Sequence, residues 1–135
     1  MPIAWDSSYE TGHKVIDAQH RALLAVVNEL ESSDGQQRDS RDVILGVLSH
    51  IMDLSLSHFA MEEDLMTLVD YPADPTAEMI LQHREFTFHA RRRVLEFRRG
   101  EMLSVLPLQE SLADWLVGHE VGSDKLLAEY IRERG

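Results

Sequence analysis

The stretch His58-Phe59-Ala60-Met61-Glu62-Glu63 constrains this chain more than any other. Residues four apart on a helix project from one face, so His58 and Glu62 stack one turn above the other. The residues before them, Val47, Leu48, Ile51 and Leu54, carry an apolar stripe along that face. His58 and Glu62 therefore point inward with the core, where an unpaired carboxylate is expensive. The carboxylate needs a cation, and an interior histidine beside it makes a metal ion the expected one.

The rest of the chain reads as helices that can supply further ligands. Residues 1–16 lack periodicity, hold Trp5 and Tyr9, and are expected to form an extended arm packed across the domain. From Ile16 the spacing turns helical through Leu23, Leu24, Val27 and Leu30, with His20 on the same stripe and Ser32-Ser33-Asp34-Gly35 as the stop. A second helix is expected from near Ser40 through Leu65. Tyr71-Pro72-Ala73-Asp74-Pro75 breaks it, with Asp74 as N-cap and Pro75 first in a third helix. That helix runs through Met79, His83, Phe86, Ala90 and Val94 to Phe97, with Gly100 as the residue that ends it. A fourth begins around Ser104 to Pro107 and carries Leu108, Leu112, Trp115, Leu116, His119, Leu126, Leu127 and Tyr130. Nothing alternates with period two, so the expected fold class is all-α, an up-down-up-down four-helix bundle with an extended N-terminal arm.

Composition narrows the function. At 135 residues the chain is expected to be one domain, 1–135. The net charge of −11 argues against nucleic acid or an anionic membrane surface as partner. No cysteine is present, which removes disulfides, zinc–thiolate sites and thiol catalysis. The first ten residues do not read as a signal peptide, no apolar stretch is expected to reach membrane-spanning length, and the expected location is cytoplasmic. The basic run Arg91-Arg92-Arg93 with Arg98-Arg99 suits the C-terminal end of the third helix and reads as a solvated face.

Each helix places a histidine or carboxylate on its apolar stripe: His20, then His58 and Glu62, then His83, then His119 with Asp124. One histidine on an apolar face is ordinarily a hydrogen-bonded core residue. Four, one per helix and joined by two inward carboxylates, are hard to explain in that way. Bundle interiors are where such sites are built, and imidazole with carboxylate but no sulfur suits iron, with manganese or zinc as alternatives.

Over essentially its whole length the chain resembles the hemerythrins, in particular the single-domain bacteriohemerythrins. The matching residues are Trp5; Ile16-Asp17-Ala18-Gln19-His20; His58-Phe59 with Glu62-Glu63, Leu65-Met66 and Tyr71-Pro72; His83 with Phe86; and Trp115-Leu116 with His119 and Asp124. The resemblance implies two non-haem iron ions bridged by a glutamate, an aspartate and an oxo or hydroxo group. One iron has three histidines; the other has two and a vacant position where dioxygen binds. Carried over by position, His20 and His58 hold the iron with the vacancy, His83 and His119 hold the other, and Glu62 and Asp124 bridge. The spacing of five from His119 to Asp124 does not align on a regular helix, and Gly122 between them suggests a bulge or wide turn.

Two positions depart from the family pattern. A histidine is expected one turn before His83, where this chain has Met79. A thioether is a poor replacement for imidazole on iron, so Met79 reads as an apolar filler. Neither His89, about 240° around the helix from His83, nor His50 replaces it. His13, in the arm, is not expected to fold back as a ligand. The second departure is Glu120, where the family usually has an aliphatic residue lining the oxygen pocket. A carboxylate there is costly unless protonated or metal-bound, so Glu120 is a candidate metal ligand and a candidate catalytic group. Its bland reading is a side chain turned to solvent or paired with an arginine.

Three functions follow. The expected one is a di-iron protein that binds and activates dioxygen or peroxide at a carboxylate-enriched site, with peroxidase- or oxidase-like activity in question. The first alternative is reversible dioxygen binding, transport or storage, the family default without turnover. The second is an oxygen- or redox-sensing or interaction bundle with a partly lost metal site, working with a separate redox or signalling partner.

Overall fold

The computed structural model describes residues 4–33, 40–100 and 106–134, with the side chains of 31–33, 40–41, 106–107 and 120–121 outside the description. Four rods form the bundle. They are α1 (Lys14–Ser33), α2 (Ser40–Leu68), α3 (Ala73–Arg98), and a fourth made of α4 (Leu106–His119), a π turn (Glu120–Asp124) and α5 (Lys125–Arg134). The first packs on the second and fourth, and the second on the third. The Phe86 and Trp115 rings, 4.4 Å apart and tilted by 38°, link the third to the fourth. No strand occurs among the described residues.

The arm is tied down by its own polar groups. Asp6 accepts from Ser8 N and caps a short 3₁₀ turn, Ser7–Tyr9. Trp5 and Tyr9 pack with Leu23, Leu24 and Leu116, and Arg21 lies 4.7 Å over the Trp5 ring. Asp17 accepts from Thr11 N, Thr11 Oγ1 and Gly12 N, which fastens the arm to the first turn of α1. Gly12 has φ +89, and a Cβ there would meet the Arg132 guanidinium at 3.0 Å, so no larger residue fits easily. His13 Nδ1 accepts from Ile16 N, an N-cap bond that starts α1 at Lys14. His13 is thereby a cap and not a ligand. His50 and His89 are exposed, as their angular positions imply.

Helix ends follow local chemistry, with one correction. The expected N-cap Asp74 is displaced: α3 starts at Ala73, and its N-cap is Pro72, extended at φ −53 and ψ 148. Pro75 still sits in the first turn, where its missing N–H removes no helical bond, and Asp74 there suits the positive end of the dipole. Asp70, at φ 51, ends α2 in the left-handed region while Tyr71 N donates to Met66 O. Gly100, at φ +76, ends α3 as its sequence position implies. The expected stop at Ser32 to Gly35 and start at Ser104 lie partly outside the described residues.

The expectation about membrane-spanning length is corrected as well. Asp42–Leu68 is 27 residues long and contains a window of mean hydropathy 1.5, enough by length and composition to cross a membrane. Polar residues such as Ser49, Asp53 and Ser57 interrupt every contiguous run, while the average stays high. The helix spends its apolar face on the bundle, burying Ile44, Val47, Leu48, Ile51, Phe59 and Met66.

Two apolar regions enclose a polar layer. The main cluster includes Val27, Leu30, Ile51, Phe59, Phe86, Phe97 and Leu112; a smaller one joins Met66, Met79 and Leu127. Glu62 lies one turn before Met66, His83 one turn after Met79, and Asp124 just before Leu127. The ligand candidates are thus sandwiched between buried apolar layers.

Candidate metal centre

His20, His58, Glu62, His83, His119 and Asp124 are all buried, with Glu62 and Asp124 fully so. Side-chain atoms of His20, His58, Glu62 and Asp124 lie within 4.8 Å of one another, and those of Glu62, His83 and His119 form a second such group. Glu62 belongs to both. Its Oε1 is 3.2 Å from His58 Nε2, 3.1 Å from His83 Nε2 and 3.3 Å from His119 Nε2. Asp124 likewise reaches both sides, with Oδ2 2.6 Å from His20 Nε2 and Oδ1 2.8 Å from His119 Nε2.

Hydrogen bonding alone does not account for this layout. His58 Nε2 faces His20 Nε2 at 3.1 Å, Glu62 at 3.2 Å and Asp124 at 3.4 Å, yet one ring nitrogen carries at most one proton. Glu62 Oε2 is buried with no hydrogen-bond partner. Asp124 Oδ1, close as it is to His119, is not in hydrogen-bonding geometry with any group. Atoms that crowd around common points without pairing one-to-one are arranged for cations. Nitrogen and carboxylate oxygen without sulfur fit iron, manganese or zinc.

The outer ring nitrogens fix that arrangement. His58 Nδ1 donates to Gln19 Oε1 at 2.6 Å, His83 Nδ1 to Glu63 Oε2 at 2.9 Å, and His119 Nδ1 to Gln82 Oε1 at 2.9 Å. Ser123 Oγ also donates to Gln82 Oε1, at 3.0 Å. Each bond commits Nδ1 as a donor and leaves Nε2 toward the centre, the usual arrangement of metal-ligating histidine. Phe59 stacks on His83 at 4.1 Å, and Trp115 on His119 at 4.7 Å.

Sequence reasoning did not assign roles to Gln19, Glu63 and Gln82. Each is adjacent in sequence to a ligand candidate but serves a histidine on a different helix. One residue along a helix turns the side chain by about 100°, from the bundle axis toward the neighbouring helix. A polar residue beside each candidate was the available signal.

Electrostatics match a site built for positive charge. Burial disfavours the charged form of His58, but hydrogen bonds to Asp124 and Glu62 outweigh it and carry its pKa up to about 9. The same balance carries His119 to about 10. Burial dominates at His20 and lowers its pKa. Asp124 is held well below the usual carboxylate range, its burial overcome by close polar contact with Glu62 and with the His119, His20 and His58 imidazoles. Glu62 is also lowered: burial and the neighbouring Asp124 oppose its ionisation, and the imidazoles prevail.

The π turn brings Asp124 back over His119, as the spacing and Gly122 suggested. Met79 is 2% exposed and packs with Met66 and Leu127, the setting of an apolar filler. The Glu120 side chain lies outside the described residues, although its backbone opens the π turn.

Residues 11–131 match the Hemerythrin HHE cation binding domain family. A bacteriohemerythrin of Stenotrophomonas maltophilia is 30% identical over 130 residues, covering 96% of this chain and 82% of that protein. A hemerythrin-like protein of Naegleria gruberi is 28% identical over 123 residues, covering 91% of this chain and 88% of that protein. A crystal structure of wild-type hemerythrin superposes with a TM-score of 0.85 at 25% identity, covering 96% of this chain and 97% of that one. With the family's bundle, and a buried cluster able to hold metal inside it, this chain belongs to the hemerythrin family.

Proposed function

We propose that this chain is a di-iron protein that takes up dioxygen or peroxide, with His20 and His58 at one metal position and His83 and His119 at the other. Glu62 and Asp124, which reach histidines of both pairs, would be held in common by the two positions. The observation that carries this reading is the reach of both carboxylates to histidines of both pairs. Iron, when bound, would supply the redox chemistry toward dioxygen or peroxide.

The chain's own residues set the terms of that chemistry. Gln19, Glu63 and Gln82 orient three imidazoles, and the layers around Phe59 and around Met66, Met79 and Leu127 keep water out. Met79 offers no imidazole, so each metal position has two histidines and shares two carboxylates. That donor set is richer in carboxylate than the family pattern. Glu120, at a position that is aliphatic in the family pattern, follows His119 in sequence and is a carboxylate of the kind that can hold or move a proton. We therefore favour activation of dioxygen or peroxide over its reversible storage. The dry layers favour reversible binding as the second reading. A partly lost metal site, leaving a sensing or interaction bundle, fits poorly with six converging candidates.

Metal content measured with the optical spectrum of iron-loaded protein tests the proposal. Iron bound by the wild type and diminished in Glu62→Ala, with the bridged-centre spectrum lost, is the expected result. A Glu62→Ala protein with undiminished iron and an unchanged spectrum would refute the bridging assignment.

A further inference from the structure

A groove of roughly 720 Å³ runs between α2 and α3 and reaches the outer side of the polar layer at His83. Its volume is that of a site for a small organic ligand. Phe59 and His83, both nearly buried, form its floor, and Leu56 and Phe88 form its walls. Phe88 is 61% exposed and Leu56 40%, large apolar side chains left in water facing a common concavity.

Its charge is local and opposite to that of the chain. Arg84, Phe88 and Arg91 follow one another at spacings of four and three, so they share one face of α3 and all line the groove. Neither arginine has an ion-pair partner among the described residues, whereas Arg92 and Arg93 are both taken up by Glu96. Two uncommitted guanidinium groups flank an exposed aromatic ring, on a protein of net charge −11. The solvated-face reading of the basic run does not explain why Arg91, with no ion pair among the described residues, borders an apolar groove.

We propose that this groove binds an amphipathic organic monocarboxylate, its apolar body along Phe88 and Leu56 toward the Phe59–His83 floor and its acid group on Arg91. Glu63, hydrogen-bonded to His83 at 2.9 Å, places negative charge at the His83 end and directs the acid group to the Arg91 end. Guanidinium binds a carboxylate through paired, charge-assisted hydrogen bonds, which sets the preference for an acid over an alcohol of the same chain. The site stands independently of the reaction proposed for the metals.

Calorimetric titration of sodium decanoate into metal-loaded protein tests it, with decanol as the uncharged match. Saturable one-to-one binding of decanoate, at least about tenfold tighter than decanol, is expected from one charge-assisted contact. Arg91→Gln should weaken decanoate about tenfold and leave decanol unchanged. Phe88→Glu should abolish binding; Phe88 is exposed, so the fold is not at risk, and an unchanged circular dichroism spectrum confirms it. Equal affinity for the acid and the alcohol, or no effect of Arg91→Gln, overturns the proposal. So does sedimentation showing a dimer that Phe88→Glu disperses while decanoate fails to bind, because the groove is then an interface between copies. Loss of the proposed redox activity leaves these readouts untouched.

Discussion

His119 and Asp124 are five residues apart and still meet, with Nε2 2.8 Å from Oδ1. On a regular helix, five residues at about 100° each would turn Asp124 about 140° away from His119. The π turn Glu120–Asp124 absorbs the extra residue and returns the carboxylate to the bundle axis. Lys125 continues it in regular α geometry, so the downstream face that buries Leu127 keeps its register.

The π turn therefore behaves as a one-residue insertion, and two opposite edits test that. Deleting Gly122 puts Asp124 four residues after His119 on an ordinary helix, facing the same way. Metal content should be kept, and stability should change by less than about 1 kcal/mol, since glycine inside a helix is itself unfavourable by about that amount. Inserting one alanine after Gly122 rotates Asp124 off the centre and should remove most of the metal while helicity stays near wild type. Comparing iron per chain in the two variants decides it: loss on deletion together with retention on insertion would contradict the geometry.

Protonation of the metal-free centre gives a second prediction. His58, at about 9, and His119, at about 10, are raised above the value near 6.5 expected when unfolded. A raised histidine stabilises the fold fully below the unfolded value, and that stability is lost as pH rises through the folded value. Metal-free protein should thus lose stability between pH 6.5 and 10. Asp124 and Glu62, lowered in the fold, contribute above their unfolded values, and that contribution falls away in acid. Metal takes the place of the histidine protons, so uptake at pH 7 should release protons and tighten as pH rises toward 9. Calorimetry in buffers of different ionisation enthalpy counts them. Uptake at pH 7 without proton release would show that the imidazoles are already neutral.

Much of the centre was legible because helical period and ligand spacing act together. His58 and Glu62 share a stripe with Leu48 and Ile51, so their burial followed from the apolar pattern alone. Asp124 was harder, since its placement depends on a local departure from α geometry that Gly122 only hints at. The N-cap at Pro72 was misread because Asp74-Pro75 carries a strong local signal that the chain path overrode. Gln19, Glu63 and Gln82 were illegible in role, because each acts on a neighbouring helix and linear sequence does not say which helices touch. The groove was hidden for the same reason: Leu56 and Phe88 belong to different helices, and only their juxtaposition makes a concavity.

Met79 lies one turn from His83 on the same helix face and is buried in an apolar cluster with Met66 and Leu127. Met79→His should act in opposite directions on the two forms of the protein. Without metal, an imidazole among methionine and leucine side chains lacks a partner and should cost about 1–3 kcal/mol of stability. With metal, it supplies the imidazole that the family pattern expects and should slow loss of iron to a chelator from the His83–His119 position. Denaturation midpoints of both forms and chelator-driven release measure this. A variant destabilised equally with and without metal, releasing iron as fast as wild type, would place residue 79 out of reach of the centre.

Glu120 separates activation from reversible binding. It directly follows His119 and opens the π turn, so its backbone is fixed relative to the centre. If its carboxylate borders the oxygen position, it competes with small anions there and can deliver a proton to oxygen as the bond between oxygens breaks. Glu120→Ile removes both effects. Azide affinity, followed by optical titration of the iron-loaded protein, should rise by about tenfold or more, the scale of one lost charge contact at a buried site. Turnover of peroxide with a reducing co-substrate should fall by about a hundredfold or more, the scale that a positioned proton donor contributes. Glu120→Gln distinguishes charge from shape: it keeps the size and loses the proton, so turnover should fall as in Glu120→Ile while azide affinity rises less. Unchanged azide affinity and unchanged peroxide turnover in both variants would make Glu120 a solvent-facing bystander, and reversible dioxygen binding would then be the better account of this centre.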